Sequence, residues 1–208
     1  MKLLLHTCCA PCTIYPLRVL REQNIEVMGY FYGSNIHPYT ECLKRRQTLV
    51  DYAAQIEFKL IVDEAYDLEK FLRNTAFRES DRCHVCYYER LHNTAIMARR
   101  GKFDRFSTTL LYSKFQMHDA IRKTAEAIAM DVGIPFHYQD FRIGWSEGIA
   151  VSKQMGMYRQ SYCGCIYSEK ERYFRKKSNR KNLAPSIRQS GVLGDAAHRE
   201  TLNPPQSN

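Results

Sequence analysis

Residues 2–12 constrain the fold more than any other stretch of the chain: Lys2-Leu3-Leu4-Leu5-His6-Thr7-Cys8-Cys9-Ala10-Pro11-Cys12. A short apolar run reads as a buried strand, and a helical pattern follows from near Thr13. Strand, tight turn and helix in that order open a parallel α/β domain. The turn normally carries glycine, so that backbone N–H groups can approach a phosphate. Here the turn holds no glycine and three cysteines. Soft sulfur ligands suit a thiophilic metal or cluster rather than a triphosphate.

The rest of the chain repeats the alternation that a parallel sheet flanked by helices requires. Residues 14–23 read as a helix that tolerates Pro16 only in its first turn. Strand patterns at 25–32 and 58–63 enclose a helix over 39–56, and a short helix over 68–74 follows. A helix from Cys83 to about Arg99 leads to a fourth strand over 103–109. The spacing of Ile121, Ala125, Ile128 and Ala129 predicts a helix over 114–132 stopped by Gly133, and Phe115 reads as core rather than as a stacking platform. A fifth strand is expected over 136–139, then helices over 145–155 and 167–177. Residues 1–177 are therefore expected to form one catalytic domain, and the Pro/Ser/Asn/Gly-rich remainder, 178–208, a basic flexible tail.

The formal charge of +9 favours a polyanionic partner. Residues 169–208 carry nine Lys/Arg against four Asp/Glu, so more than half of the excess is local to the C-terminal part. No apolar stretch approaches the ~20 residues of a membrane span, and the N-terminus turns polar too soon for a signal peptide. A cytoplasmic protein is expected. In a reducing compartment its eight cysteines are ligands or catalysts rather than structural disulfides.

Those cysteines fall in four places: 8, 9 and 12; 42; 83 and 86; 163 and 165. In an open parallel sheet, ligands gather at the carboxyl ends of the strands, where both the first group and the third can meet. Cys83-His84-Val85-Cys86 at a helix start places two sulfurs on one side, with the helix dipole favouring thiolate. With Cys8 and Cys9 they supply the four sulfurs that an iron–sulfur cubane or a zinc ion requires. Adjacent cysteines diverge, which favours the larger cluster; a structural zinc site is the alternative. Cys163-Gly164-Cys165 can close a small strained disulfide ring, which suits a pair cycling between dithiol and disulfide; two unrelated loop thiols are the alternative. Cys42 reads as a buried small hydrophobe. Cys12 stays open among a ligand to a second metal, a catalytic thiol and packing.

Laid out together, these motifs closely resemble the QueH-type epoxyqueuosine reductases. The resemblance is carried by His6-Thr7-Cys8-Cys9-Ala10-Pro11-Cys12, the 31–38 segment ending in Asn35-Ile36-His37-Pro38, Asp81-Arg82-Cys83-His84-Val85-Cys86-Tyr87, residues 107–112 and Tyr158-Arg159-Gln160-Ser161-Tyr162-Cys163-Gly164-Cys165. It extends over about residues 2–175. Gly33-Ser34 departs from the family's Asn-Pro, which bears only on the shape of that loop. The resemblance implies a HUP-like, Rossmann-type three-layer domain with added helices around a cysteine-rich metal site. It also implies reduction of epoxyqueuosine to queuosine at the tRNA wobble position, without cobalamin. A 4Fe-4S cluster on Cys8, Cys9, Cys83 and Cys86 would serve it, apparently beside a second iron ion, with Cys163 and Cys165 as the redox pair.

Turning an epoxide into an alkene takes two electrons and two protons and expels water. A cubane usually passes one electron at a time, so the dithiol would complete the pair, fed by an electron donor that the sequence does not identify. Tyr162, Tyr158 and His6 are candidate proton donors, with His6 favoured for packing or a hydrogen bond to the site. Lys114, Arg122, Lys123, Arg159 and the 170–181 basic run are candidate phosphate contacts. Two rivals remain: a tRNA sulfur-transfer enzyme of the ATP-pyrophosphatase type, which would need a glycine-rich phosphate loop after the first strand, and a zinc-binding RNA-binding module.

Overall fold

A computed structural model describes residues 1–174. Four parallel strands, β1 (Lys2–Thr7), β2 (Glu26–Phe31), β3 (Leu60–Val62) and β4 (Arg105–Thr108), are ordered β3-β2-β1-β4. The centre falls to β1, whose Leu3–Thr7 are all buried, because a strand covered on both faces can be a continuous apolar run. From β1 the chain builds outward through β2 to β3, then returns to place β4 on the other side of β1. The carboxyl end of β1 therefore lies at the point where strand order reverses, the usual ligand crevice of such a sheet.

Helices α1 (Ala10–Glu22) and α2 (Tyr39–Gln55) pack together, as do α4 (Arg82–Arg100) and α5 (His118–Val132). The remaining helices are α3 (Leu68–Thr75), which contacts α4; α6 (Trp145–Gln154), which packs on α1; and α7 (Ile166–Tyr173). Leu4, Leu91, Ala95, Ile121 and Ala125 belong to the largest core cluster. Gly133 ends α5 at φ +72°, as its sequence position predicts. None of the described helices is long and apolar enough to cross a membrane.

Several expected boundaries move. Helix α1 starts at Ala10, with Cys9 as its N-cap, so Cys12 stands on the first helical turn and not in the loop. Pro11 fits that start, whereas Pro16 sits inside the helix, where it offers no N–H to the Cys12 carbonyl. Helix α5 begins at His118, not residue 114. Residues 114–117 form a loop, and Phe115 is 76% exposed instead of in the core. The expected fifth strand reduces to a single parallel bridge between Phe136 and Phe106. The expected domain boundary at 177, the tail 178–208 and most of the 170–181 basic run lie outside the described residues.

Candidate metal centre

The turn after β1 carries Cys8 and Cys9 into α1, where Cys12 follows one turn on. Their sulfurs all lie within 4.8 Å of one another, the one such set of three or more metal-binding side chains among the described residues. Cys83 and Cys86 do not join that set. They approach from α4, whose first turns bring Cys86 to a cavity of about 400 Å³ also lined by Cys8, Cys12 and Cys163. One cavity thus takes Cys8 and Cys12 from the first group, Cys86 from the third and Cys163 from the fourth, while Cys9, Cys83 and Cys165 are not in its lining; Cys12 lies within 4.8 Å of both Cys8 and Cys9. Cys42 is buried elsewhere, in the core around Phe31 and Leu49, with its thiol toward the Gly33 carbonyl at 3.5 Å.

The three clustered thiols do not hold their protons equally. Hydrogen bonds from Cys12 and Cys9 hold Cys8 well below its ordinary value. Burial pushes Cys9 up to about 12, and the bond to Cys8 pushes Cys12 well up. Cys8 is therefore the thiol of the three that gives up its proton most easily, and a bound cation would take the place of the protons the set still holds. Gln160 donates its amide to Cys9 Sγ at 2.9 Å, while its own Oε1 is buried without a partner.

Arg90 sits one helical turn after Cys86 and is 3% exposed. Its guanidinium donates to Cys86 Sγ at 3.1 Å, His6 Nε2 at 3.4 Å and the Asn35 carbonyl at 3.3 Å. None of the ion pairs among the described residues includes it. Burying an uncompensated charge costs several kcal/mol, so a lone buried guanidinium needs an anion nearby. Burial opposes its charge, yet the attraction of the neighbouring Cys86 and Cys8 sulfurs outweighs burial and raises its pKa, while burial pushes the Cys86 thiol itself up. An all-sulfur donor set around a buried cation, with an orphaned amide oxygen beside it, fits an anionic thiolate-held metal group.

His6 is kept neutral, its pKa pushed down to about 3 by burial and then by Arg90. Since Arg90 donates to Nε2, the proton is on Nδ1 and points to Thr108 Oγ1 at 2.9 Å. His6 therefore orients Arg90 and is not an acid at neutral pH. His37 is likewise structural: Nε2 bonds the Ser34 carbonyl at 3.0 Å and Nδ1 accepts from Ile166 N.

The segment with Cys163 and Cys165 is stitched to α2 and the 35–38 loop. Arg45, 1% exposed and paired with Glu41, donates to the Cys163 carbonyl at 2.8 Å and the Tyr162 carbonyl at 3.0 Å. Gly164 adopts φ +153°, a region that favours glycine, and a Cβ there would meet Arg45 Nη1 at 3.3 Å. Both cysteines are free thiols, with Gln116 Nε2 3.2 Å from Cys163 Sγ. Tyr162 lines the cavity, but its hydroxyl donates to the His37 carbonyl; the Tyr158 hydroxyl donates to Glu41.

Sequence reasoning missed Arg90, Arg45, Gln160 and Gln116. The only sequence signal for Arg90 was its spacing of four from Cys86, and an Arg on a helix ordinarily reads as a solvated face. Of the expected phosphate contacts, Arg159 lines the cavity and Lys114 flanks it, whereas Arg122 is exposed and paired with Glu126.

A structure described as a predicted subunit of tRNA methyltransferase from Methanocaldococcus jannaschii superposes with a TM-score of 0.51 at 10% identity, covering 81% of this chain and 94% of that one. That likeness shows the fold, a three-layer α/β domain. In sequence, a protein named epoxyqueuosine reductase QueH from Dehalococcoides mccartyi is 38% identical over 172 residues, which cover 83% of this chain and 94% of that protein. Proteins of the same name from Thermotoga maritima and Acinetobacter baylyi are 34% and 31% identical, covering 81% and 80% of this chain and 91% and 80% of theirs. A family model described as epoxyqueuosine reductase QueH matches residues 3–171. With its paired-cysteine turn, its Cys-x-x-Cys helix and this match along the described fold, the chain belongs to the QueH family of epoxyqueuosine reductases.

Proposed function

We propose that this chain reduces epoxyqueuosine to queuosine in tRNA, using an iron–sulfur centre held by cysteines at the crevice and the Cys163/Cys165 pair as a second electron store. The observation that carries the reading is the convergence of Cys8, Cys12, Cys86 and Cys163 on one cavity around a buried Arg90. Cys8 and Cys9 from the β1 turn, with Cys83 and Cys86 from α4, are the proposed cluster ligands. Cys12 is the ligand that the clustered sulfurs add to that set, toward the cluster or a second iron.

When bound, such a centre supplies single electrons at low potential and, with an open coordination position, a Lewis acid for an epoxide oxygen. The protein's own residues do the rest. Arg90 compensates thiolate charge, and Arg45 fixes the Cys163 backbone. Gln116 and Gln160 hold sulfur atoms in place by their amides. Among the described residues the cavity has three arginines and no carboxylate in its walls, which suits an anionic RNA. A wobble nucleoside in a loop can leave its stack to enter such a cavity at lower cost than in a duplex.

The test is direct. Anaerobically purified, iron-loaded protein is incubated with dithionite and tRNA carrying epoxyqueuosine, and the nucleosides are analysed by mass. Loss of one oxygen is expected; intact epoxyqueuosine with fully loaded protein defeats the reading. A brown protein absorbing broadly near ~400 nm distinguishes an iron–sulfur centre from the colourless zinc alternative.

A further inference from the structure

We propose that Phe115 and Trp145 form a stacking platform at the cavity mouth for a nucleobase of the anticodon loop that flanks the wobble nucleotide. The proposal rests on the tRNA reading above and adds where the RNA is gripped. Phe115 is 76% exposed, yet its loop is not loose. Its neighbour Gln116 accepts from the Tyr87 hydroxyl at 2.8 Å, and Met117 N donates to that same hydroxyl at 3.2 Å. Phe115 N itself donates to Ser113 Oγ at 3.3 Å. A large apolar ring held out into water by a pinned backbone is not explained by folding, because burying it would release the cost of its exposure.

Trp145 stands edge-to-face with Phe115, ring centres 5.4 Å apart, and both line the cavity that holds the cysteines. The indole is itself fixed. The Tyr112 hydroxyl donates to the Trp145 carbonyl at 3.0 Å, and Gly148 admits that phenol so closely that a Cβ would lie 2.3 Å from its oxygen. The Lys114 ammonium lies 5.5 Å from the Phe115 ring and 5.4 Å from the Trp145 ring. Arg159 and Arg172 line the same cavity, and no acidic side chain among the described residues does. Rigid π faces interleaved with cations fit single-stranded RNA, whose bases stack while its phosphates pair. An apolar peptide would have no use for this charge. Extruding the wobble nucleotide also leaves its neighbour with one bare face, which the platform can cover.

The test uses the anaerobic holoenzyme and an anticodon stem-loop with 2-aminopurine beside the wobble position. Wild type should quench the fluorophore on binding. Phe115→Ala should keep its iron content, lose the quenching and bind on the order of tenfold more weakly, the size of one base stack. Phe115→Tyr should restore both, whereas Phe115→Leu, which keeps apolar bulk without a π face, should not. The salt slope of binding should be unchanged in the Phe115 variants and about one unit smaller in Lys114→Ala. Wild-type quenching and affinity in Phe115→Ala or Phe115→Leu overturn the platform. So does a defect confined to reduction by a protein electron donor and absent with dithionite, which would make this face a protein-docking surface. Wild-type conversion of epoxyqueuosine tRNA is followed in parallel, so that failure of the enzymatic reading shows there and failure of the platform shows in the fluorescence.

Discussion

Replacing Arg90 by methionine removes a buried cation while keeping most of the side-chain volume. The guanidinium Nε lies 3.1 Å from Cys86 Sγ. With its charge centred about 4 Å away and an effective dielectric of about 20, the attraction to a thiolate is roughly 4 kcal/mol. If most of that acts on the added electron of a bound cluster, the one-electron midpoint falls by up to about 170 mV. The sign follows because reduction adds negative charge and the compensating positive charge has gone. Stability should change unequally. In metal-free protein burial already pushes the Cys86 thiol up, so the loss is that of the bonds to Cys86 Sγ, His6 Nε2 and the Asn35 carbonyl, about 1–3 kcal/mol for each unsatisfied buried acceptor. Iron-loaded protein keeps its thiolates and should lose more. EPR-monitored redox titration reads the first quantity, and thermal melts of the two forms read the second. Arg90→Lys, which keeps the charge, should stay near the wild-type midpoint. An unchanged midpoint in Arg90→Met, with equal destabilisation of both forms, would refute the electrostatic argument.

Cys83→Ala should lose iron and colour; full iron content in that variant removes Cys83 from the ligand set. Cys12→Ala should lose iron as severely as Cys8→Ala, while Cys42→Ala should keep it and cost roughly 1 kcal/mol in denaturant titration as a small buried truncation. Cys163→Ser should retain the cluster spectrum and stop multiple turnover, and normal turnover would rule out the relay. Gly164→Ala should destabilise the protein by about 1–3 kcal/mol through its backbone conformation, measured by chemical unfolding. Exposure to air should bleach and inactivate the enzyme, and activity that persists in air would favour zinc.

Much of the site was legible because it sits on sheet-defined positions. The Leu3–Leu5 run read as a buried first strand, and ligands gather at the carboxyl ends of the strands of a parallel sheet, so Cys8 and Cys9 could be placed at that edge from sequence. The Cys-x-x-Cys before a helical stretch marked α4 equally well. The errors share one physical origin. Helical periodicity extended α5 back over Lys114–Met117, with Phe115 read as core, whereas hydrogen bonds to Tyr87 and Ser113 hold that segment out as a loop. The start of α1 was set late because Cys9-Ala10-Pro11 gives little helical signal, although Pro11 is compatible with a first turn. That misplacement left Cys12 undecided.

Residue order alone fixed the layered α/β class, the sheet edge to which the first cysteines are sent and the thiol character of that edge, since these follow from alternation and residue type within single elements. What stands opposite each thiol was decided only by the tertiary structure. Arg90 reaches Cys86, His6 and the 35–38 loop at once, Arg45 pins a segment more than a hundred residues away, and Phe115 faces solvent beside Trp145. Periodicity reports which side of an element is buried, but a buried charge is defined by its partners, and those come from other elements that only folding brings within reach.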